Sequence, residues 1–279
     1  MLVLHTIAET RIACARIQLA GKTLGLVPTM GALHEGHLSL VRAAQASCDA
    51  VAVSIFVNPT QFGPKEDFAS YPRTLEEDCR TLEAAGVDVV FAPSVQEMYP
   101  GGASTFVEVA GVSDRLDGAS RPGHFRGVAT VVAKLLNIFT PERAFFGQKD
   151  AAQVAVLREM VRDLQFGVQL DVCPIVREPD GLAMSSRNRN LSNEQRRQAL
   201  VLSKALTAVQ QKAQSGELES AKLLAEALRV LAGEPAAQLD YCRIVDPDTL
   251  EDIPNVDRGA LVAVAARVGT TRLIDNLLL

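Results

Sequence analysis

Only Ser54 interrupts the apolar run Ala50-Val51-Ala52-Val53-Ser54-Ile55-Phe56-Val57. A strand with no polar alternation is apolar on both faces and belongs inside a parallel sheet covered by helices. Leu24 to Val27, Val87 to Phe91, Arg143 to Phe146 and Gly167 to Val172 are further strand-like runs. Between them lie stretches of helical spacing: 6–19, the segment after His34 to about residue 47, 74–85 opened by Thr74 and closed by Gly86, 128–139, and 151–164. Strands and helices alternating at these lengths imply βαβ units, hence an α/β chain with a parallel, doubly wound sheet. The 128–139 helix is apolar nearly all round, which predicts deep burial. Signals from 94 to 120 are weaker and suggest a short helix at 95–98 and a short strand at 105–109.

Composition changes after Cys173-Pro174. Two helices, about 193–215 and 219–231, are followed by short alternating runs at 239–245, 260–268 and 271–277 that read as antiparallel strands. The expectation is a larger domain over 1–174 and a smaller α+β domain over 175–279 carrying the polar loop at Met184 to Arg187.

With 279 residues, of which 48% are hydrophobic, the chain can bury a core without staples. A net charge of −5 supplies no long-range field to gather nucleic acid, so an anion site must be local. The five cysteines are odd in number and never form Cys-x-x-Cys, which favours reduced, mostly buried thiols. The amino terminus meets acids and arginines too early for a secretory signal, and no apolar run approaches the ~20 residues that span a bilayer. A soluble cytoplasmic protein with no nucleic-acid or membrane partner is expected.

Chemistry concentrates in three turns. Pro28-Thr29-Met30-Gly31-Ala32-Leu33-His34-Glu35-Gly36-His37 leads from a strand into a helix, with two of the four histidines three residues apart on one face, beside the N–H groups and positive dipole end of the first helical turn. A surface pair and a metal site are the alternatives; zinc would need further ligands, and a strand–turn–helix junction favours phosphate. Gly147-Gln148-Lys149-Asp150 is a second such junction, with Asp150 placed as helix cap and Lys149 as a point charge for phosphate. Met184-Ser185-Ser186-Arg187 offers hydroxyls, N–H groups and a guanidinium. Gln61, in the loop leaving the Ala50–Val57 strand, and Gln153 suit the hydroxyl and carboxylate groups of a small substrate. Arg121-Pro122-Gly123-His124 either lines the same pocket or merely opens a helix. Glu76, Glu77 and Asp78 read as a solvated helix face, with a lid or Mg²⁺ contact as the alternative.

Taken in order, the His34–His37 turn, Asn58-Pro59-Thr60-Gln61-Phe62-Gly63, Gly147 to Asp150 and Met184-Ser185-Ser186-Arg187-Asn188 closely resemble the pantothenate synthetase (pantoate–β-alanine ligase) family, from about residue 22 onward. His34 to His37 also matches the wider HIGH signature of nucleotidylyltransferases, and Met184 to Arg187 stands where those proteins carry a KMSKS-like loop. The resemblance implies a Rossmann-like first domain, a smaller second domain acting as a lid, a homodimer, and Mg²⁺- and ATP-dependent ligation of pantoate to β-alanine through a pantoyl adenylate. By position it implies ATP contacts from Met30, Gly31, His34, His37, Gly147, Lys149, Asp150, Val176, Met184, Ser185, Ser186 and Arg187. It implies pantoate contacts from Gln61 and Gln153, with Gln61 also near β-alanine, and catalytic roles for His37, His34 and Lys149; the protein ligands of the metal are left unspecified. Ala151, Ala152 and Asn190 depart from the family pattern and bear on how the pocket packs. Two other readings remain: a nucleotidylyltransferase acting on another small acid, and a non-catalytic nucleotide-binding module.

Overall fold

The computed structural model describes every residue except Lys65 and Ala103. The chain divides into two compact units, residues 1–147 with 156–173 and residues 148–155 with 174–279. The segment 148–155, assigned from sequence to the first domain, thus groups with the second.

In the first unit the chain runs β1 (Leu2–Leu4), α1 (Ile7–Leu19), β2 (Leu24–Thr29), α2 (Glu35–Ser47), β3 (Ala50–Ile55), α3 (Leu75–Ala84) and β4 (Val89–Phe91). Next come α4 (Val95–Met98), α5 (Asp117–Ser120), α6 (His124–Phe139), β5 (Arg143–Gly147), α7 (Ala151–Asp163) and β6 (Gln169–Cys173). Residues 151–155 of α7 group with the second unit. The six strands form one sheet in the order β1-β4-β3-β2-β5-β6, and every pairing is parallel. All six residues of β3 are buried, as its uninterrupted apolar run demands. Val27, Val53 and Val90 from the sheet pack with Val41 of α2 and Leu82 of α3. The α6 helix is buried along almost its whole circumference.

Strand order reverses at β2, which has β3 on one side and β5 on the other. In open α/β sheets ligands bind beyond the carboxyl ends of strands at such a reversal. The segment leaving β2 there is Met30 to His34.

One element has no counterpart in the sequence reading, and one local expectation fails. β1 is a three-residue edge strand with Leu2 and Val3 exposed, too short to leave a pattern. The strand expected at 105–109 is absent: Val107 gives its N–H to the Thr130 hydroxyl of α6 (2.9 Å) instead of to a neighbouring strand.

The second unit contains α8 (Asn193–Gln214), α9 (Ser220–Leu231), β7 (Ala237–Val245), β8 (Leu261–Val268) and β9 (Thr271–Leu278). The strands form an antiparallel sheet in the order β7-β8-β9. Leu202, Leu206 and Val209 of α8 and Leu223 of α9 bury against Val262, Val264 and Ala266 of β8. Among the described residues no helix is long and apolar enough to cross a membrane. All five cysteines are free, and burial raises the thiol pKa of Cys14 to about 12 and of Cys242 to about 11.

Candidate active site

At the end of β2, Thr29 Oγ1 donates to the Ser54 carbonyl (2.8 Å) and accepts from Gly31 N–H (3.2 Å). Gly31 (φ +83°) and Ala32 (φ +51°) are both left-handed, a conformation that strains a side-chain-bearing residue such as alanine. The carboxylate of Asp78 holds this geometry. It accepts from Ala32 N–H (3.0 Å), Leu33 N–H (2.8 Å) and the Thr74 hydroxyl (3.1 Å), and Asp78 is only 3% exposed. A Cβ at position 31 would stand 3.0 Å from Asp78 Oδ2 and 3.1 Å from Ile55 Cγ2, which is why glycine sits there. Glu76 and Glu77 are exposed as a solvated face should be, but Asp78 turns inward and supports the histidine turn. Thr74 precedes α3 without capping it through its side chain.

His34 is the N-cap of α2 and forms a capping box with His37. Its Nδ1 accepts from Gly36 N–H (3.1 Å), and His37 Nδ1 accepts from His34 N–H (3.3 Å). The His37 N–H bonds the His34 carbonyl (2.8 Å). The helix start is therefore partly closed by its own side chains, and backbone N–H groups offer an anion less than the sequence suggests. A ring whose Nδ1 accepts is neutral and carries its proton on Nε2. Both imidazoles thus become Nε2–H donors, with ring centroids 4.0 Å apart.

Gln61 ends the 3-10 turn Pro59–Gln61 that leaves β3. Its Oε1 accepts from Asn58 Nδ2 (3.0 Å), and its Nε2 lies 2.9 Å from Met30 Sδ. Asn58, 1% exposed, also donates to the Gly127 carbonyl (3.1 Å) and accepts from Tyr99 OH (2.9 Å) and Thr60 OH (2.9 Å). At Gly127 the α6 backbone approaches so closely that a Cβ would lie 2.2 Å from the Thr60 oxygen.

His124 completes this support. Its Nδ1 is 2.8 Å from the Gln61 carbonyl and its Nε2 is 2.9 Å from Arg121 Nη1. The carbonyl only accepts and the guanidinium only donates, so the ring is neutral with its proton on Nδ1. Burial, with the Arg121 charge adding to it, lowers the His124 pKa to about 4 against the opposing Gln61 hydrogen bond. Burial alone would raise the Glu66 carboxyl, but the paired hydrogen bonds from Arg121 (2.6 and 2.7 Å) and its charge outweigh that and hold it at about 2.

The second unit holds the other candidates. Gln148–Asp150 form a 3-10 turn running straight into α7, so Asp150 belongs to the turn and lies 3.9 Å from Lys149 Nζ. Gln153 is half-buried, and Ala151 and Ala152 are buried. Met184 N–H donates to the Val176 carbonyl (3.0 Å), and Arg177 bridges to Ala183. Ser185 caps the 3-10 turn Ser186–Asn190 by accepting from Arg187 N–H (3.3 Å). Beneath that turn Asn188 donates to Glu178 (2.6 Å) and to the Ala183 carbonyl (3.0 Å), and Arg196 ties Glu178 to Asp180. Asn190 is exposed.

The first unit thus gathers Met30, Gly31, His34, His37 and Gln61, with Gly147 at the end of β5. Lys149, Asp150, Gln153, Val176, Met184, Ser185, Ser186 and Arg187 lie in the second.

The family model for pantoate-beta-alanine ligase matches residues 2–278. This chain belongs to that family. Pantothenate synthetase of Acidobacterium capsulatum is 64% identical over 286 residues, covering 99% of this chain and 96% of the relative. Its counterpart from Koribacter versatilis is 61% identical and spans 100% of this chain and 96% of the relative. The crystal structure of pantothenate synthetase from Thermus thermophilus superposes with a TM-score of 0.95 at 48% identity, over 99% of both chains. Pantoate-beta-alanine ligase from Francisella tularensis, complexed with beta-gamma ATP and beta-alanine, superposes with a TM-score of 0.81 at 35% identity, over 100% of this chain and 97% of that one.

Within this ligase-family chain the sequence reading missed Asp78 as the brace of the histidine turn. Its signal was the spacing: Asp78 stands four residues before Leu82, on the buried face of α3. Asn58 was noticed only as part of a motif, and nothing local marks it as the hub of the Gln61 turn. Among the described residues no group of three or more His, Cys, Asp or Glu is arranged to hold a metal ion.

Proposed function

We propose that the chain catalyses the ATP-dependent condensation of pantoate with β-alanine to pantothenate, releasing pyrophosphate and AMP. The observation that carries this reading is the family match over residues 2–278, joined to a histidine turn built as a pair of neutral donors. In the first step a pantoate carboxylate oxygen bonds to the α-phosphorus of ATP and the bond to pyrophosphate breaks. A carboxylate is already ionised near neutral pH, so this step needs no strong base. It needs charge neutralised on the phosphate oxygens, which suits the Nε2–H groups of His34 and His37. In the second step the amine of β-alanine bonds to the acyl carbon, sheds a proton, and AMP leaves.

Residue roles follow the motifs. Met30, Gly31, His34, His37 and Gly147 from the first unit, and Lys149, Asp150, Val176, Met184, Ser185, Ser186 and Arg187 from the second, contact ATP. Gln61 and Gln153 hold pantoate, with Gln61 also beside β-alanine. Support for Gln61 is its fixed carboxamide, set by Asn58 within the first unit. Mg²⁺ would enter on the triphosphate, since it binds with few protein ligands and keeps its waters; it supplies charge neutralisation there. A cytoplasmic homodimer is part of the proposal, and sedimentation at two protein concentrations tests the assembly.

The deciding experiment is exchange of labelled pyrophosphate into ATP with pantoate and Mg²⁺ but no β-alanine. Exchange is expected, and AMP should appear only once the amine is added. No exchange and no AMP under any of these conditions would refute the ligase. Replacing His37 with alanine should lower kcat on the order of 10²-fold, as loss of one transition-state donor does.

A further inference from the structure

Two neighbouring residues of β9 hold both segments of the second unit assigned above to ATP. Asn276, 4% exposed, donates from its single amide nitrogen to the carbonyls of Gln148 (2.9 Å) and Lys149 (2.9 Å), and its Oδ1 accepts from Gln148 Nε2 (3.0 Å). Both amide hydrogens are spent on successive carbonyls, and the accepting carbonyls fix which end of the side chain is nitrogen. Asp275, 3% exposed, takes both ends of the Arg177 guanidinium (2.7 and 3.0 Å) and accepts from Asn276 N–H (2.8 Å). Arg177 also donates to the Gly181 carbonyl (3.1 Å), and it opens the arm on which Val176 bonds Met184.

A strand sends successive side chains to opposite faces, so one backbone can grip two different segments. A buried carboxamide and carboxylate are costly unless every polar atom is matched, and an aliphatic pair would serve sheet packing as well. Both side chains are instead matched to the Lys149 turn and to the arm leading to Met184–Arg187.

We propose that Asp275 and Asn276 form a positioning device that sets the Lys149 turn and the Met184–Arg187 arm in register for one phosphate chain. Neither is a catalytic residue; each acts through the segment it holds. The inference rests on the reading of Lys149 as a phosphate ligand.

A double-mutant cycle on pantoate-dependent pyrophosphate exchange tests it, using Asn276→Ala, Lys149→Ala and both together in the full chain. Asn276→Ala should slow exchange on the order of 10–100-fold, the cost of misplacing a binding group by about an ångström. Lys149→Ala should be at least as damaging, and the double variant no slower than Lys149→Ala alone. Gln148→Ala, at a half-buried position, removes only the bond that orients the Asn276 amide. It should give a smaller loss that likewise vanishes without Lys149, and it decides the matter if Asn276→Ala fails to fold by circular dichroism. Exchange within twofold of wild type in the folded Asn276 or Gln148 variant, or losses that multiply with that of Lys149→Ala, would overturn the device while leaving Lys149 in place. Wild-type exchange in Lys149→Ala would remove the lysine reading and the inference with it.

Discussion

Asp78 has most of its consequence through residues it never resembles. Its carboxylate meets the N–H groups of Ala32 and Leu33 while those residues follow a left-handed glycine. Asp78→Ala should cost about 1–3 kcal/mol for each buried donor left unmet, read as a fall in unfolding free energy, and should slow pyrophosphate exchange by loosening His34. Asp78→Asn keeps one acceptor and should fall between the two. His124 acts through pH. Its pKa of about 4 lies below the usual 6.5, so between these values the unfolded chain binds a proton that the folded chain refuses. Stability is therefore full above pH 6.5 and is lost as pH falls toward 4. Against His124→Asn, which cannot titrate, wild type should lose roughly 2–3 kcal/mol of relative stability between pH 7 and 4.5 in urea unfolding. The turns that carry His34, His37, Gln61 and Lys149 were legible in the sequence because glycines, prolines and strand ends frame them. Asp78 was obscured by its acidic neighbours Glu76 and Glu77, which lie on a different face of the same helix.

At the scale of elements, contact between α6 and the Gln61 turn depends on one missing methyl group. Gly127→Ala would place a carbon 2.2 Å from the Thr60 oxygen and 2.7 Å from Gln61 Cα. Helix and turn must then part, and kcat/KM for pantoate should fall on the order of 10–100-fold with a smaller change for ATP. Steady-state kinetics with each substrate varied in turn checks this; equal losses for both would show general damage. The long apolar strands and the buried α6 were readable because burial on two faces leaves an unbroken apolar signature. The 105–109 segment misled because it alternates like a strand yet satisfies Val107 through a helix hydroxyl. No single-residue pattern distinguishes those two partners for one N–H.

At the scale of the molecule, the residues proposed to contact ATP are to be tested in each unit by itself. Amide exchange should therefore slow on adding ATP both at residues 30–37 and at 184–187, while pantoate alone should protect the region around Gln61. Protection confined to one unit would show that the other has been given too large a part. The change of composition after Pro174 made a second unit legible, but the segment 148–155 joins that unit through hydrogen bonds to Asn276, and sequence spacing carries no trace of so distant a pairing. That distance has a kinetic meaning. The Lys149 carbonyl and the amide that holds it are 127 residues apart, so the turn cannot be secured until a long loop of chain has closed. The β2–β5 pairing, which joins Gly25 to Arg143, needs a closure of similar length, so in refolding competence to bind nucleotide and completion of the parallel sheet should both be late events, trailing the recovery of helix.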